Sequence, residues 1–566
     1  MNDNRLRILF YHADTGKGTN IWLYPTVLIL KTYIDIQHPE TAKKLEWCIP
    51  IQQLITDEEL IEQINKTNPD VLCTSHYLWN HEPLVQQLQR VLPQLNKKIK
   101  VVAGGPSITV HIDPEFFQKY PFIDYAVYGS GECAFADIIT SLVNNRSMIV
   151  FNTSNCAWQG FPQHRLAEYK PVKLIPTSPF IQNKQLMIEM VKDSRDKGLV
   201  FNFPYSLTRG CPYSCTFCDW NSGLSNKVSR RKATYQQEID LFQELGITEI
   251  YLADANIGQY DEDIDMIQYF AKKNIEENAG FHIAGNYSKL RKDANLKIFN
   301  FLAQGQLIRK TFNFAVQDTN ETVLQNIDRP DVGWAVHAAM IDELHEKHPQ
   351  YYSKIQMIYG LPGQTVESWR ETLRTVTQKR LVTRIFFNEP LPASPALTDP
   401  EYQRKFQFEY VESNRLSAGV GNYSTKIPKK CISFSQYDLV EMTVLSTLYT
   451  ALSTMKTIVS FQENIDLDLE PVVDSIVHGL YYKSFCNNLY ENWTTENNFY
   501  YSIDFFGDPA YFTTDSLFLG YKWAKDKNFV FLVAMSLPVD QAKKLISLYL
   551  TPTYANEVEE YMQDID

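Results

Sequence analysis

The stretch TRGCPYSCTFCDW, residues 208–220, places three of the chain's nine cysteines, Cys211, Cys215 and Cys218, in a C-x3-C-x2-C spacing. It continues from VFNFPYSL (200–207), which reads as a strand, and Gly210, Pro212 and Ser214 mark the cysteine segment itself as a loop. Three cysteines on one short loop do not belong to a hydrophobic core. Thiolates are soft ligands that suit zinc, copper(I) and iron–sulfur clusters. A structural zinc site wants a fourth ligand, and no His or Cys occurs within the next thirty residues. Three ligands on a four-iron cluster leave one iron open to a small molecule, so the cluster becomes a reagent.

Downstream of the loop the chain alternates strand and helix patterns. QQEIDLFQELG (236–246) is amphipathic, EIYLADANIG (249–258) is a strand, DEDIDMIQYFAKKNIEE is a helix and GFHIAGNYS (280–288) is a strand. The alternation runs on through RKTFNFAVQD, YYSKIQMIYGLPG and RIFFNEPL (384–391), giving about six βα units between 200 and 400, fewer than a closed eightfold barrel needs. The expected fold there is a partial (β/α)6 TIM-like barrel.

Upstream, RILFYH (6–11), DVLCTSH (70–76), KIKVVAGG (98–105) and DYAVYGSGE (124–132) alternate with helical runs. This predicts a Rossmann-like, doubly wound parallel sheet over residues 1–150, binding ligands at the carboxyl ends of its strands. Residues 151–199 read as a linker rich in Pro and polar residues, and 401–566 as a mainly helical C-terminal domain with isolated aromatic-rich stretches. The fold class is therefore α/β, in three parts.

The bulk numbers narrow the function. Lys+Arg is 54 against Asp+Glu 66, a net charge of −12, which disfavours nucleic acid as a partner. No run of 18 apolar residues predicts a membrane span, and the N-terminus reads as a first strand, not a signal sequence. Nine cysteines, thin outside the cluster, do not form a disulfide framework, so the expected compartment is the reducing cytoplasm.

The cysteine loop, with Phe217 before the last cysteine and Trp220 after it, resembles the signature of radical S-adenosylmethionine (SAM) enzymes. That resemblance implies a [4Fe–4S] cluster on Cys211, Cys215 and Cys218. It implies SAM on the open iron, cleaved reductively to a 5′-deoxyadenosyl radical that abstracts hydrogen from an unactivated carbon. Further stretches match in order: YLADANIG (251–258), GNYS (285–288), VQDTNETVLQNIDRP (316–330) and IYGLPGQTVESW (358–369). By the same resemblance Asp254, Asn256, Asn286, Gln317 and Arg329 are the polar candidates for SAM contacts. A one-electron donor such as flavodoxin or ferredoxin is implied as a partner.

In front, LCTSHYLWNHEPL (72–84), VVAGGPSI (101–108) and YGSGECAF (128–135) resemble the cobalamin-binding domain that precedes many such enzymes. Ser75, Trp79, Asn80, Gly104, Gly105, Gly129, Gly131 and Glu132 are its candidate contacts. Gly104–Gly105 would let backbone approach a ligand, and GSGE would open a helix N-terminus that attracts negative charge. Domains that supply a histidine to cobalt carry D-x-H-x-x-G. Here HADTGKG (12–18) does not fit, so His12 and His76 read as packed histidines and Trp79 and Asn80 as residues against the corrin.

Two reactions are compatible with these parts. Cobalamin-dependent C-methylation of a peptide or natural product uses the front domain and is the favoured reading. Radical epimerisation of a peptide needs a lone thiol as hydrogen donor, for which Cys431 is the first candidate and Cys486 the second. A non-catalytic iron–sulfur scaffold or sensor is the alternative of another class, and the cofactor motifs argue against it. Lys429 and Lys430 read as solvated surface.

Overall fold

A computed structural model describes residues 5–15, 20–108, 115–144, 155–158, 175–220, 228–231, 234–391, 393–417, 421–463, 467–479 and 533–549, with single positions between 482 and 491 and at 530. The glycines of HADTGKG, the middle of 151–199 and most of the aromatic-rich stretch after 480 lie outside the described residues.

Strand β1 (Leu6–Asp14) is buried along most of its length, as the centre of a parallel sheet must be. The next strand, β2 (Asn20–Trp22), leaves this sheet altogether. β3 (Leu45–Trp47) and β4 (Ile51–Gln53) both pair parallel to β1 on one side. β5 (Val71–Ser75), β6 (Lys100–Gly104) and β7 (Tyr125–Val127) lie on the other, each parallel to its neighbour. β8 (Cys156–Trp158), within the stretch read as linker, adds an antiparallel edge. Helices Thr26–Gln37 and Glu132–Val143 pack together beside this sheet.

The barrel begins at β9 (Val200–Tyr205) and continues through the short hairpin β10 (Thr208–Arg209) and β11 (Ser229–Arg230). Its walls are β12 (Glu249–Ile257), β13 (His282–Tyr287), β14 (Thr311–Gln317), β15 (Tyr352–Tyr359) and β16 (Leu381–Phe387). With β9 these make the six parallel strands that the sequence predicts. They form two ladders, β13-β12-β9-β2 and β14-β15-β16, adjacent but not hydrogen-bonded as strands at β13/β14. The seventh strand is β2: Asn20, Ile21 and Trp22 pair parallel with Val200, Phe201 and Asn202. The front domain thus donates a strand to the barrel.

Along β16 the residues alternate. Thr383 meets Thr450 and Ser453 of the helix Gln436–Glu463, while Ile385 and Phe387 join the apolar core beneath that helix. The helix covers β15 and β16 with small polar residues. Thr443, Ser446, Thr447, Thr450 and Thr454 each return a hydroxyl to a carbonyl four residues back, so buried oxygens are satisfied within the helix. Between barrel and helix runs a hairpin, β17 (Glu409–Ser417) and β18 (Gly421–Lys430), inside the region expected to be mainly helical. One continuous apolar core joins the front sheet, the barrel and this helix.

Candidate active site

The cysteine loop turns at Gly210, whose φ of +89° favours glycine. Its backbone is pinned on two sides. Thr216 N–H donates to Ile327 and Ala396 N–H to Thr216, and Ser214 hydroxyl bonds Asp328. Phe217 packs with Val323, Leu324, Ile327 and Leu361. Thr216 hydroxyl also donates to Tyr402, at 2.9 Å. The motif stretches around 323–329 and 361–364 therefore act in part as the bed on which the loop lies.

Cys211 and Cys215 are buried and Cys218 half-buried. Burial pushes the Cys218 thiol up to about 11, against a smaller lowering by Lys289. Such a thiol ionises readily only when a metal takes the place of its proton. Asn256 Nδ2 lies 3.2 Å from Cys211 Sγ and Lys289 Nζ 3.5 Å from Cys215 Sγ, with the ammonium also over the Tyr213 ring at 4.6 Å. Among the described residues no three His, Cys, Asp or Glu side chains close around a single metal ion. A four-iron cluster is wider than one ion and takes one thiolate per iron, so its ligands need not converge as zinc ligands must.

Four of the five predicted SAM residues stand near the carboxyl ends of β12, β13 and β14, and Arg329, after the helix Glu321–Asn326, reaches back to β14. Asp254 accepts from Leu207 N–H at 3.0 Å, beside Thr208, and burial raises its carboxyl to about 6. Asn256 Oδ1, Gln317 Oε1 and Arg329 Nε are buried with no protein partner. Gln317 has a φ of +68°, a left-handed conformation costly for a residue with a side chain, at an irregularity in the β14–β15 register. Asn286 Nδ2 points at Tyr251 hydroxyl, at 3.4 Å. Arg329 is partly engaged, donating to the Ala315 carbonyl and facing Asp331 at 3.9 Å. Buried polar atoms without partners are rare in native folds, and a cluster of them at strand ends fits a polar ligand.

In the front domain the candidates separate. Asn80 is fully used by the fold, donating to the His12 and Ser75 carbonyls at 2.8 and 2.9 Å and accepting from Tyr77 N–H at 2.7 Å. Ser75 hydroxyl meets His12 Nδ1 at 2.9 Å. His12 and His76 are both buried; burial lowers His12 to about 3, and His76 bonds Thr74 and His81. Trp79 is the half-buried member, stacked on Tyr77 with centroids 4.8 Å apart, at the end of a stack through Tyr24 to His12. Gly105 is required by the fold: at φ +108° a Cβ there would lie 2.5 Å from the His76 carbonyl oxygen. At Gly104 the nearest atom would be 3.7 Å away. Gly129 turns at φ +66°, and Gly131 precedes the helix Glu132–Val143 without a side-chain cap.

Glu132 is committed across the domain boundary, pairing with Arg209 at 2.7 Å, two residues before Cys211. That contact, Lys289 at Cys215 and Trp22 at Tyr251 (centroids 5.3 Å apart) were not foreseen in the sequence. Only the position of Lys289, directly after GNYS, offered a signal.

Cys431 directly follows β18 and bridges to Phe434, its sulfur 3.2 Å from Ser433 hydroxyl. Burial raises its thiol. Cys486 is likewise buried, its thiol pushed up by burial to about 12. Among the described residues no hydrogen bond joins the Cys431 sulfur to Asn256 or Asn286.

Family comparison matches a radical SAM superfamily model to residues 205–376 and a B12 binding domain model to residues 48–139. The chain thus carries a radical SAM domain and, ahead of it, a B12-binding domain. Among curated relatives, 2-(S-pantetheinyl)-carbapenam-3-carboxylate methyltransferase of Streptantibioticus cattleyicolor is 27% identical over 62% of this chain and 50% of its own. The cobalamin-dependent radical SAM methyltransferase TokK of Streptomyces tokunonensis is 26% identical, again over 62% and 50%. The chain thus spans half the length of those relatives.

Among solved structures, the cobalamin-dependent radical enzyme OxsB with aqua-cobalamin shares the fold at a TM-score of 0.56, 12% identity, 99% of this chain and 84% of its own. The methyltransferase TsrM of Kitasatospora setae does so at 0.50 and 12%, over 70% and 75%. Among the described residues no helix is long and apolar enough to cross a membrane.

Proposed function

We propose that this protein is a cobalamin-dependent radical SAM C-methyltransferase acting on an unactivated carbon of a small-molecule or peptide natural product. The observation that carries the reading is the joining of the two modules at the cysteine loop. Arg209, two residues before Cys211, is held by Glu132 of the B12-binding domain, and β2, ahead of that domain, pairs with the first barrel strand. Two modules built so that one braces the other's cofactor loop are suited to a shared substrate.

The residues divide the work. Cys211, Cys215 and Cys218 would hold the cluster, and the Asn256 amide and Lys289 ammonium would stabilise negative charge on its thiolates. Asn256, Gln317 and Arg329 offer unpaired polar atoms to SAM. Trp79 offers a flat apolar ring where cobalamin would rest, and His12 and His76, both bonded within the fold, are not presented to cobalt. When bound, the cluster with SAM supplies a carbon-centred radical that abstracts hydrogen, and cobalamin supplies the methyl group. The electron has to come from outside the chain, from a donor such as flavodoxin or ferredoxin.

The test is metal content and turnover after anaerobic reconstitution with hydroxocobalamin. About four iron atoms and one cobalt per chain are expected, with 5′-deoxyadenosine and S-adenosylhomocysteine both formed from SAM. Cys211→Ala should lose both products, whereas Cys431→Ala should keep them. Iron without cobalt, or 5′-deoxyadenosine from the Cys211→Ala protein, would remove this reading.

A further inference from the structure

The barrel lumen has a charge that the fold leaves uncompensated. Thr383, Ile385 and Phe387 face the outer helix and its core, so Arg384 and Phe386 face inward. In register beside Arg384 is Gln356, which lines a cleft together with Asn286, Asn313 and Ala315. Farther round, Tyr251 and Trp22 complete an aromatic side. Arg384 is half-buried, its Nε is buried with no acceptor, and its guanidinium lies over the Phe386 ring at 5.1 Å. Among the described residues no carboxylate pairs with it.

The other basic residue on this face of the sheet, Lys354, is buried and already engaged. The strand acid that shares the lumen face, Glu249, stands at the opposite end of β12 and is taken by His282 at 3.1 Å and Arg309 at 3.4 Å.

A buried guanidinium N–H without an acceptor is costly, and Arg384 Nε is such a donor while the rest of its fork stays open to a ligand. Its planar fork matches a carboxylate in two parallel hydrogen bonds, and the Gln356 amide beside it can add a third. The depth is informative too. At roughly 3.3 Å per residue, Arg384 lies about 10 Å below the carboxyl end of β16. That is beneath the strand ends that carry Asn256 and Gln317.

We propose that Arg384, with Gln356, anchors a carboxylate of the substrate inside the barrel. This rests on the reading of the lumen as the substrate chamber of a radical SAM enzyme. The substrate class it selects is a carboxylic acid whose reacting carbon lies mouthward of its carboxylate.

The test compares the reconstituted wild-type chain with Arg384→Gln, measuring thermal unfolding in acetate, succinate and phosphate against chloride at equal ionic strength, and SAM affinity in parallel. Acetate and succinate should raise the wild-type midpoint by about 2 °C over chloride, and the concentration needed should rise roughly tenfold in Arg384→Gln. SAM affinity should be the same in both proteins. Should the glutamine variant not fold, Arg384→Lys, which keeps the charge and loses the fork, carries the same comparison.

Equal responses of wild type and variant overturn the assignment. Stronger protection by phosphate than by carboxylates overturns it in favour of a phosphorylated ligand, and a loss of SAM affinity assigns the guanidinium to the cofactor. A wild-type protein that forms no 5′-deoxyadenosine removes the radical reading and leaves the anion result standing.

Discussion

Asp254 shows what a buried carboxyl at this site costs the fold. Its carboxyl is buried at the end of β12, and desolvation outweighs the hydrogen bond from Leu207, raising it from 3.8 to about 6. The folded-state value lies above the unfolded one, so the group favours the fold below about pH 4 and that contribution is lost as pH rises through 6. A shift of this size corresponds to about 3 kcal/mol between the two protonation states. Asp254→Asn keeps an acceptor for Leu207 and removes the titration. Between pH 5 and pH 7.5, the stability measured by urea unfolding should therefore fall by about 1.4 kcal/mol more in wild type than in the variant; parallel losses would show that burial of this carboxyl is relieved in solution. Gln317 belongs with it, since a left-handed side-chain residue at a strand end is unfavourable unless surrounding structure or a ligand compensates.

At the scale of elements, β2 and the Glu132–Arg209 pair do the joining. β2 is only three residues long, too short to hold its place by its own ladder. Trp22 against Tyr251 and its N–H bonded to Asp14 fix it between the sheets. The ion pair sits at the first turn of the helix Glu132–Val143, where a carboxylate is favoured by the helix dipole. Arg209 is about one-third exposed at its side chain, which weakens the pair through solvent screening. A double-mutant cycle with Glu132→Gln and Arg209→Gln should give a coupling of about 1 kcal/mol. If the two effects simply add, the contact does not brace the cysteine loop.

Over the whole molecule, one core cluster runs from Ile8 and Phe10 through Phe203 and Ile355 to Leu448 on the long helix, with separate clusters on the other side of the front sheet. Domains that share a core unfold together. Hydroxocobalamin at a hundredfold excess over its Kd should stabilise the protein by about 2.7 kcal/mol. The same lift should appear when unfolding is monitored by loss of cluster absorbance, although the cluster is in the other module. Two separate transitions, with only the cobalt-bearing one shifted, would mean that the shared core does not couple them.

The sequence by itself determined the parts whose signal is local. Cysteine spacing, strand–helix alternation and the glycine-bearing strand ends depend on neighbours a few residues apart, and so the six barrel strands, the parallel front sheet and the cysteine loop were all legible. Three-residue strands such as β2, β3, β4 and β8 carry too little periodicity to be seen, and their pairing is decided by the surface they meet. The same limit applies to site residues. Asn80 and Gly105 looked like ligand contacts in a matching motif, yet the fold consumes every polar atom of one side chain and the space around the other. Conversely Arg209, Lys289 and Arg384 belong to no motif. Their meaning comes from Glu132 77 residues earlier, from a sulfur 74 residues away and from an inward-facing sheet surface with no acid to pair. Which charges are paired and which are left open is a sum over contacts distant in sequence, and only the tertiary structure makes that sum.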